Sequence, residues 1–240
     1  MGQNQMRVYI GWDDRERDAY AVAERTASAF GCLTLPLYEA RLRQSGLLTR
    51  AVDRRHPDGG DGKFWAWDFN SSAPQSTEFA ISRFFVPLLG HSGLCLFVDA
   101  DVVFLEDPHE LLAMADQSKA VQVVKHEPMK ASGVKMDGQI QTNYRRKLWS
   151  SVMLWNLDHE ANRRITLDML NNWPGRDLHA FGWLSDDEIG GLPPEANWLV
   201  GLQDKPARPM IAHYTLGTPN LPGLENSEHA DIWREHASQI

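Results

Sequence analysis

Apolar positions along the chain change period several times, and each change marks an element. Val8 to Ile10 form a short apolar run after a polar tail (residues 1–5). From Glu16 to Phe30 the small and apolar positions recur at helical spacing and stop before Gly31. The pattern predicts a strand over Arg7 to Ile10, a turn at Gly11-Trp12-Asp13-Asp14, a helix, and a second strand from Cys32 to Tyr38. Such a β-α-β opening favours a sheet with parallel strands and a site at their carboxyl ends.

Farther along, Asp53 to Asp68 is polar and Gly-rich before ending in two Trp, which reads as a long loop with an ordered aromatic end. Thr77-Glu78 opens a helix through about Leu89, and Leu94 to Val98 is wholly apolar, as a buried central strand is. Asp107-Pro108 begins another helix, with Asp as N-cap and Pro at the first helical position. A strand follows at Ala120 to Val124. Lys125 to Lys147 has no period and reads as a functional loop. The string "SSVMLWNLD" is strand-like, "HEANRRITLDMLNNW" is a helix, Pro209 to Tyr214 is a late strand, and the last dozen residues form a terminal helix. Neither a repeat nor a linker interrupts the pattern, so one domain is expected over residues 1–240.

Charge narrows the function. A net charge of -8 with no Lys/Arg block excludes a protein that grips nucleic acid through phosphates. The opening lacks a signal-peptide pattern and no apolar stretch is long enough to span a bilayer. A cytoplasmic protein is expected, with a peripheral place at a membrane left open. Cys32 and Cys95 have no second Cys or His at metal spacing.

The candidate chemistry lies in "LCLFVDADVVFLEDP" (94–108), where a buried strand runs into Asp99-Ala100-Asp101. Side chains two apart on a strand share a side, about 6.6 Å apart at the Cα atoms, so one hard divalent cation can be reached from both. A turn cap, a shared proton, a metal ion or a phosphoryl group would each suit the pair. The same string resembles the nucleophile motif of haloacid-dehalogenase-type phosphatases. That motif usually lies near the chain start, whereas about 90 residues precede it here.

Five segments, in order, resemble the family-8-type retaining glycosyltransferases: "VYIGWDDRERDAY", "TEFAISRFFVPLL", "LFVDADVVFLEDP", "LWSSVMLWNLDHEANR" and "RPMIAHYTLGTPNLPG". The resemblance implies an α/β GT-A fold with a Rossmann-like, mostly parallel mixed sheet. It implies transfer of a sugar from a nucleotide-diphosphate donor, a UDP-sugar above all, to an acceptor hydroxyl with retention. The acceptor class, glycan, lipid-linked glycan or protein, is not readable. A non-catalytic nucleotide-sugar binding protein is the other outcome.

Carried over, Asp99, Asp101 and His213 hold Mn2+ or Mg2+. Gly11, Asp13, Asp14, Arg83, Asp99, Ala100 and Gly217 surround the donor, and Asp186 and Asp187 lie near the transferred sugar. Each has an ordinary alternative: a core His, a helix Arg paired with Glu78, a simple turn, or the acidic first turn of a helix capped by Ser185. The chain departs from the family at Asp187, which replaces a Gln, at Ser150-Ser151, and at Thr218-Pro219-Asn220, where the family has Lys-Pro-Trp. Lys205 or Arg208 is a candidate to take over that lysine's contact with the donor phosphates. Trp65, Trp67, Trp149 and Trp183 lie near loops where indoles stack on sugars, although large aromatics more often fill cores.

Overall fold

A computed structural model describes residues 5–53, 66–127, 146 and 148–238. The first strand, β1 (Arg7–Gly11), is almost wholly buried. Asp13 then turns the chain: its Oδ1 accepts from Arg15 N–H at 2.9 Å and opens a 3-10 turn, Asp14–Glu16. Helix α1 (Arg17–Ala29) follows and buries Ala19, Tyr20, Val22, Ala23, Thr26 and Ala27, the three-and-four spacing read from the sequence. It ends where Gly31 adopts a φ of +79°, a left-handed conformation that glycine enters without a Cβ penalty. Strand β2 (Leu33–Leu37) then pairs parallel to β1.

After α2 (Glu39–Gln44) come three short strands, β3 (Val52–Asp53), β4 (Ala66–Asp68) and β5 (Ala73–Gln75), in a small antiparallel sheet. The loop expected over Asp53 to Asp68 is therefore strand at both its described ends, and residues 54–65 with Trp65 lie outside the described part. The small sheet is anchored by Arg50, whose Nε donates to Asp68 Oδ1 (2.9 Å) and Nη2 to Oδ2 (2.5 Å), both side chains fully buried. Next, α3 (Phe79–Ser82) tightens into a 3-10 helix over Arg83–Leu88, with Pro87 inside it. A proline has no N–H to give an α-helical ladder, which accounts for the tightening of the helix expected as far as Leu89.

Strand β6 (Leu94–Val98) runs as predicted, and β7 (Val102–Phe104) starts after three intervening residues. Helix α4 (His109–Met114) begins one residue after the expected start, with Asp107 Oδ1 accepting from His109 N–H at 3.0 Å. Then come β8 (Val121–Val123), β9 (Val152–Asn156), α5 (Leu167–Asn172) and α6 (Gly175–His179). The single helix expected over His159 to Trp173 is two pieces, a 3-10 turn at Glu160–Arg164 and then α5. Ile165 and Thr166 are extended between them, and Thr166 Oγ1 caps α5 by accepting from Met169 N–H at 3.2 Å. A β-branched hydroxyl residue favours the cap over the helix interior. The chain finishes with β10 (Ile189–Gly191), β11 (Trp198–Leu199), β12 (Ile211–His213) and α7 (Ala230–Ala237).

The main sheet has the order β10-β8-β9-β6-β1-β2. Its β1/β2, β1/β6 and β8/β10 pairs are parallel, whereas β9 runs against β6 and β8. A second sheet, β11-β12-β7, packs its own apolar cluster of Val103, Trp198, Ala212 and Tyr214 against Val22 of α1 and Trp233 of α7. No described helix is long and apolar enough to cross a membrane.

Candidate functional site

Parallel pairing aligns Ile10 of β1 with Val98 of β6, so Gly11 and Asp99 leave the sheet at the same edge. Backbone from two other strands then fixes the aspartates. Asp99 N–H donates to Ser151 O just before β9, and Tyr214 N–H donates to Asp101 O just after β12, both at 2.9 Å. Antiparallel pairing of β12 with β7 sets His213 opposite Val102. Its Nε2 therefore lies 3.2 Å from Asp101 Oδ1. One ligand atom from each of Asp99, Asp101 and His213 lies within 4.8 Å of the other two.

The hydrogen bonds around His213 decide which nitrogen carries a proton. Ser151 Oγ spends its proton on Leu148 O (2.7 Å), so it accepts from Asn197 Nδ2 (2.9 Å). This orients the Asn197 amide, whose Oδ1 then accepts from His213 Nδ1–H at 3.0 Å. In the neutral imidazole, Nε2 keeps its lone pair and aims it at a carboxylate. A proton or a cation between them makes that contact favourable, and a histidine whose other N–H is held by a protein acceptor is the usual arrangement at metal sites. The donor set of two carboxylates and one imidazole suits a hard or borderline divalent ion.

Arg83 is buried and not on an exposed helix face. Its Nη1 lies 2.8 Å from Asp99 Oδ1 and donates to Ser150 O, also at 2.8 Å, while Nε donates to Phe79 O. Burial nonetheless pushes Asp99 up to about 6; Arg83 and His213 oppose the rise, and Asp101 adds to it. A carboxyl whose folded pKa is raised contributes stability that is fully present below its unfolded value and is lost as pH rises through about 6. With metal chelated, the protein is therefore expected to lose on the order of 2 kcal/mol between pH 4 and 7 through this group. Asp99→Asn should flatten that part of the urea-denaturation profile, and an unchanged slope would refute the assignment.

The remaining candidates divide. Ala100 is fully buried between the two aspartates. Gly11 has a packing reason, since a Cβ there would meet the Phe79 ring at 2.4 Å. Asp13 joins the turn after β1 to α3: it accepts from Glu78 N–H at 3.0 Å and pairs with Arg15. Although burial works the other way, those contacts hold its carboxyl below the usual range. Asp14 is exposed and accepts from Trp12 Nε1. Gly217, at φ +116°, turns the chain after β12, and a Cβ there would meet Leu224 at 2.5 Å.

Asp186 and Asp187 are not brought to the cluster. They precede β10, which pairs Ile189 with Val121, at the end of the sheet where β6 begins. Asp99 follows the other end, about 13 Å of strand away. Asp186 pairs with Arg146, Lys119 Nζ donates to Asp187 O, and the Ser185 hydroxyl holds the Asp187 carboxyl below its ordinary range. The capping box expected of Ser185 is present, with Glu188 as its partner. Arg208 is taken by Glu106 and Glu110, and Lys205 lies 5.9 Å from the Trp198 ring centroid. Trp183 packs in the core with Phe84, Phe181 and Trp155, Trp149 is half-buried beside Lys125 and Arg146, and Trp67 lies in β4.

Sequence reasoning missed four residues. Asn197 and Ser151 orient His213, His126 receives the other Asn197 N–H at 3.0 Å, and Glu16 carries a buried carboxylate oxygen, Oε2, that takes no hydrogen bond. Burial pushes His126 down to about 4, which keeps it neutral. Glu16 is raised well above the usual carboxylate range by burial, then by the charges of Asp101, Asp13 and Asp99. The one available signal was Glu16 itself, a residue without a capping role at a helix start.

No protein-family model matches the chain. Protein CDI of Arabidopsis thaliana is 33% identical over 236 residues, which make up 95% of this chain and 84% of that protein. The chain belongs to the family of protein CDI. Solved structures place the fold of this CDI-family chain among GT-A-type glycosyltransferases. WbbM, a bifunctional glycosyltransferase, gives a TM-score of 0.62 at 16% identity, over 100% of this chain and 51% of WbbM. GlyE of Streptococcus pneumoniae TIGR4 gives 0.58 at 15% identity, over 98% of this chain and 60% of GlyE. The galactosyltransferase LgtC, solved with donor and acceptor sugar analogs, gives 0.55 at 15% identity, over 98% of this chain and 96% of LgtC. The chain thus spans about half of WbbM and three fifths of GlyE. At these identities the likeness is one of fold, and it bears out the expected α/β GT-A class.

Proposed function

We propose that the chain is a metal-dependent glycosyltransferase that moves a sugar from a nucleotide-diphosphate donor, a UDP-sugar first of all, to an acceptor hydroxyl. The observation that carries this reading is the meeting of Asp99, Asp101 and His213 at the carboxyl end of β6, with His213 Nε2 aimed at a carboxylate. These three residues would hold Mn2+ or Mg2+. When bound, that ion supplies positive charge opposite the departing diphosphate. Arg83 holds the Asp99 carboxylate in place, and Asn197 keeps the His213 proton on Nδ1 so that Nε2 presents its lone pair on the Asp101 side. Gly11 and the Asp13 turn form the neighbouring edge, where the nucleoside would lie.

Retention of configuration, and membership of the family-8-type enzymes, follow from the ordered motif resemblance. The LgtC complex with donor and acceptor sugar analogs supports a sugar acceptor as the first class to try. Asp186 and Asp187, at the far end of the sheet, have no assigned part in the transfer.

The test is a thermal-shift screen of nucleotide diphosphates and nucleotide sugars, each with and without Mn2+. A ligand at 100 times its Kd stabilises by about 2.7 kcal/mol, so a clear rise in midpoint is expected only when both nucleotide and ion are present. A shift that ignores the ion would overturn the metal-dependent reading. Metal-dependent binding without transfer to any acceptor, or hydrolysis, would mark a binding protein instead.

A further inference from the structure

The arrangement that gives His213 Nε2 its lone pair leaves a mismatch farther along the same chain of hydrogen bonds. Asn197, fully buried, donates from Nδ2 to His126 Nε2 at 3.0 Å. Burial keeps His126 neutral, so its ring carries one proton, and that proton lies on Nδ1. This nitrogen faces Gln203 Nε2 at 3.3 Å, which sets one donor against another. Gln203 is on the surface, yet its amide is held. Its Oε1 accepts from Leu199 N–H at 3.2 Å, and its backbone O accepts from Trp198 Nε1 at 3.1 Å.

The reverse arrangement would suit Gln203. Its Nε2–H would donate to His126 Nδ1, His126 Nε2–H to the oxygen of an Asn197 amide turned about, and the Asn197 N–H to His213 Nδ1. The His213 proton would then stand on Nε2, on the Asp101 side, where it bars ligation. Ser151 opposes this reversal, because its own proton goes to Leu148 O and its Oγ needs the Asn197 N–H. We propose that Gln203, His126 and Asn197 form a relay that sets the affinity of the cation site, with His126 as a positioning residue: Gln203 weakens the grip by opposing the ligating tautomer of His213, and Ser151 strengthens it. This rests on the metal-dependent reading above. The consequence is a cation site kept below the affinity that its three ligands could reach.

Mn2+ titrations of the nucleotide-free protein, followed by the electron paramagnetic resonance of free Mn2+, should give opposite signs for the two anchors. One net hydrogen bond is worth a factor of roughly two to ten, so Gln203→Met should lower the Mn2+ Kd by about that factor and Ser151→Ala should raise it by as much. Gln203→Met also takes the acceptor from Leu199 N–H, so its thermal midpoint in chelator should fall while its affinity rises. A merely structural Gln203 would lower both. In a His126→Phe background, Gln203→Met should leave Kd unchanged, because the relay is cut. The signs of the two single variants decide the matter even if His126→Phe does not fold. A Gln203→Met Kd equal to or above wild type, with Asp101→Ala abolishing binding, overturns the inference and leaves the metal reading intact. An equal gain with and without the His126 ring overturns the relay. Absence of Mn2+ binding by the wild-type protein overturns both readings.

Discussion

Asp101→Asn is expected to reduce sugar transfer by about three orders of magnitude and to erase the Mn2+-dependent nucleotide shift. The side chain is nearly isosteric, and the backbone carbonyl that holds the residue, accepting from Tyr214 N–H, is untouched. What changes is charge: one of the two carboxylates within reach of His213 becomes neutral. Removal of a single oxyanion-stabilising group commonly costs two to three orders of magnitude, about 2.7–4 kcal/mol. Loss of a metal ligand removes the whole ion and belongs at or beyond the upper end of that range. His213→Ala should act in the same direction, and Asp187→Asn should leave the nucleotide shift in place. An Asp101→Asn protein with a wild-type Mn2+-dependent shift would refute the site. Equal losses for Asp187→Asn and Asp101→Asn would instead contradict the strand registers that separate them.

The largest effect on stability is expected at Arg50. Arg50→Met strips the cationic partner from Asp68, a carboxylate that is 1% exposed and keeps only the Asn70 N–H and the Ser71 hydroxyl. Arg50 also donates to Leu170 O at 3.2 Å, so the substitution removes one of the hydrogen bonds that tie this region to α5. Breaking a buried pair by removing one member costs about 3–5 kcal/mol, because the charge left behind has no water to turn to. For a chain of this size that is a fall of roughly 10 °C or more in thermal midpoint. Arg50→Met/Asp68→Asn should recover part of the loss in urea denaturation, since the double variant leaves no uncompensated charge. If the single variant unfolds at the wild-type midpoint, the pair does not anchor this sheet.

Much of this architecture is written locally. The period-two and period-3.6 runs of β1, α1 and β6, the positive φ at Gly31 and the capping box at Ser185 are decided within a few residues by burial and turn chemistry, and each is visible in the string. Local signals also marked Asp99 and Asp101 as a pair in need of a partner. They were weaker where elements are short: β7, β10 and β11 are two or three residues each, too few for a period to show. The break at Thr166 set a local cap against a helical pattern that continued on both sides, and the cap won.

The sequence by itself determined the α/β class, the parallel opening and the buried strand that delivers two aspartates to a sheet edge, because hydrophobic periodicity acts between near neighbours. Motif order also named His213. Only the tertiary structure decided that its Nε2 faces Asp101, that Asn197 and Ser151 set its proton, that Arg83 faces Asp99, and that Asp186 and Asp187 lie toward the other end of the sheet. These outcomes depend on the pairing of β12 with β7 and on the opposite run of β9. Strand register is a long-range choice, fixed by whole faces packing together and not by the residues whose chemistry it positions.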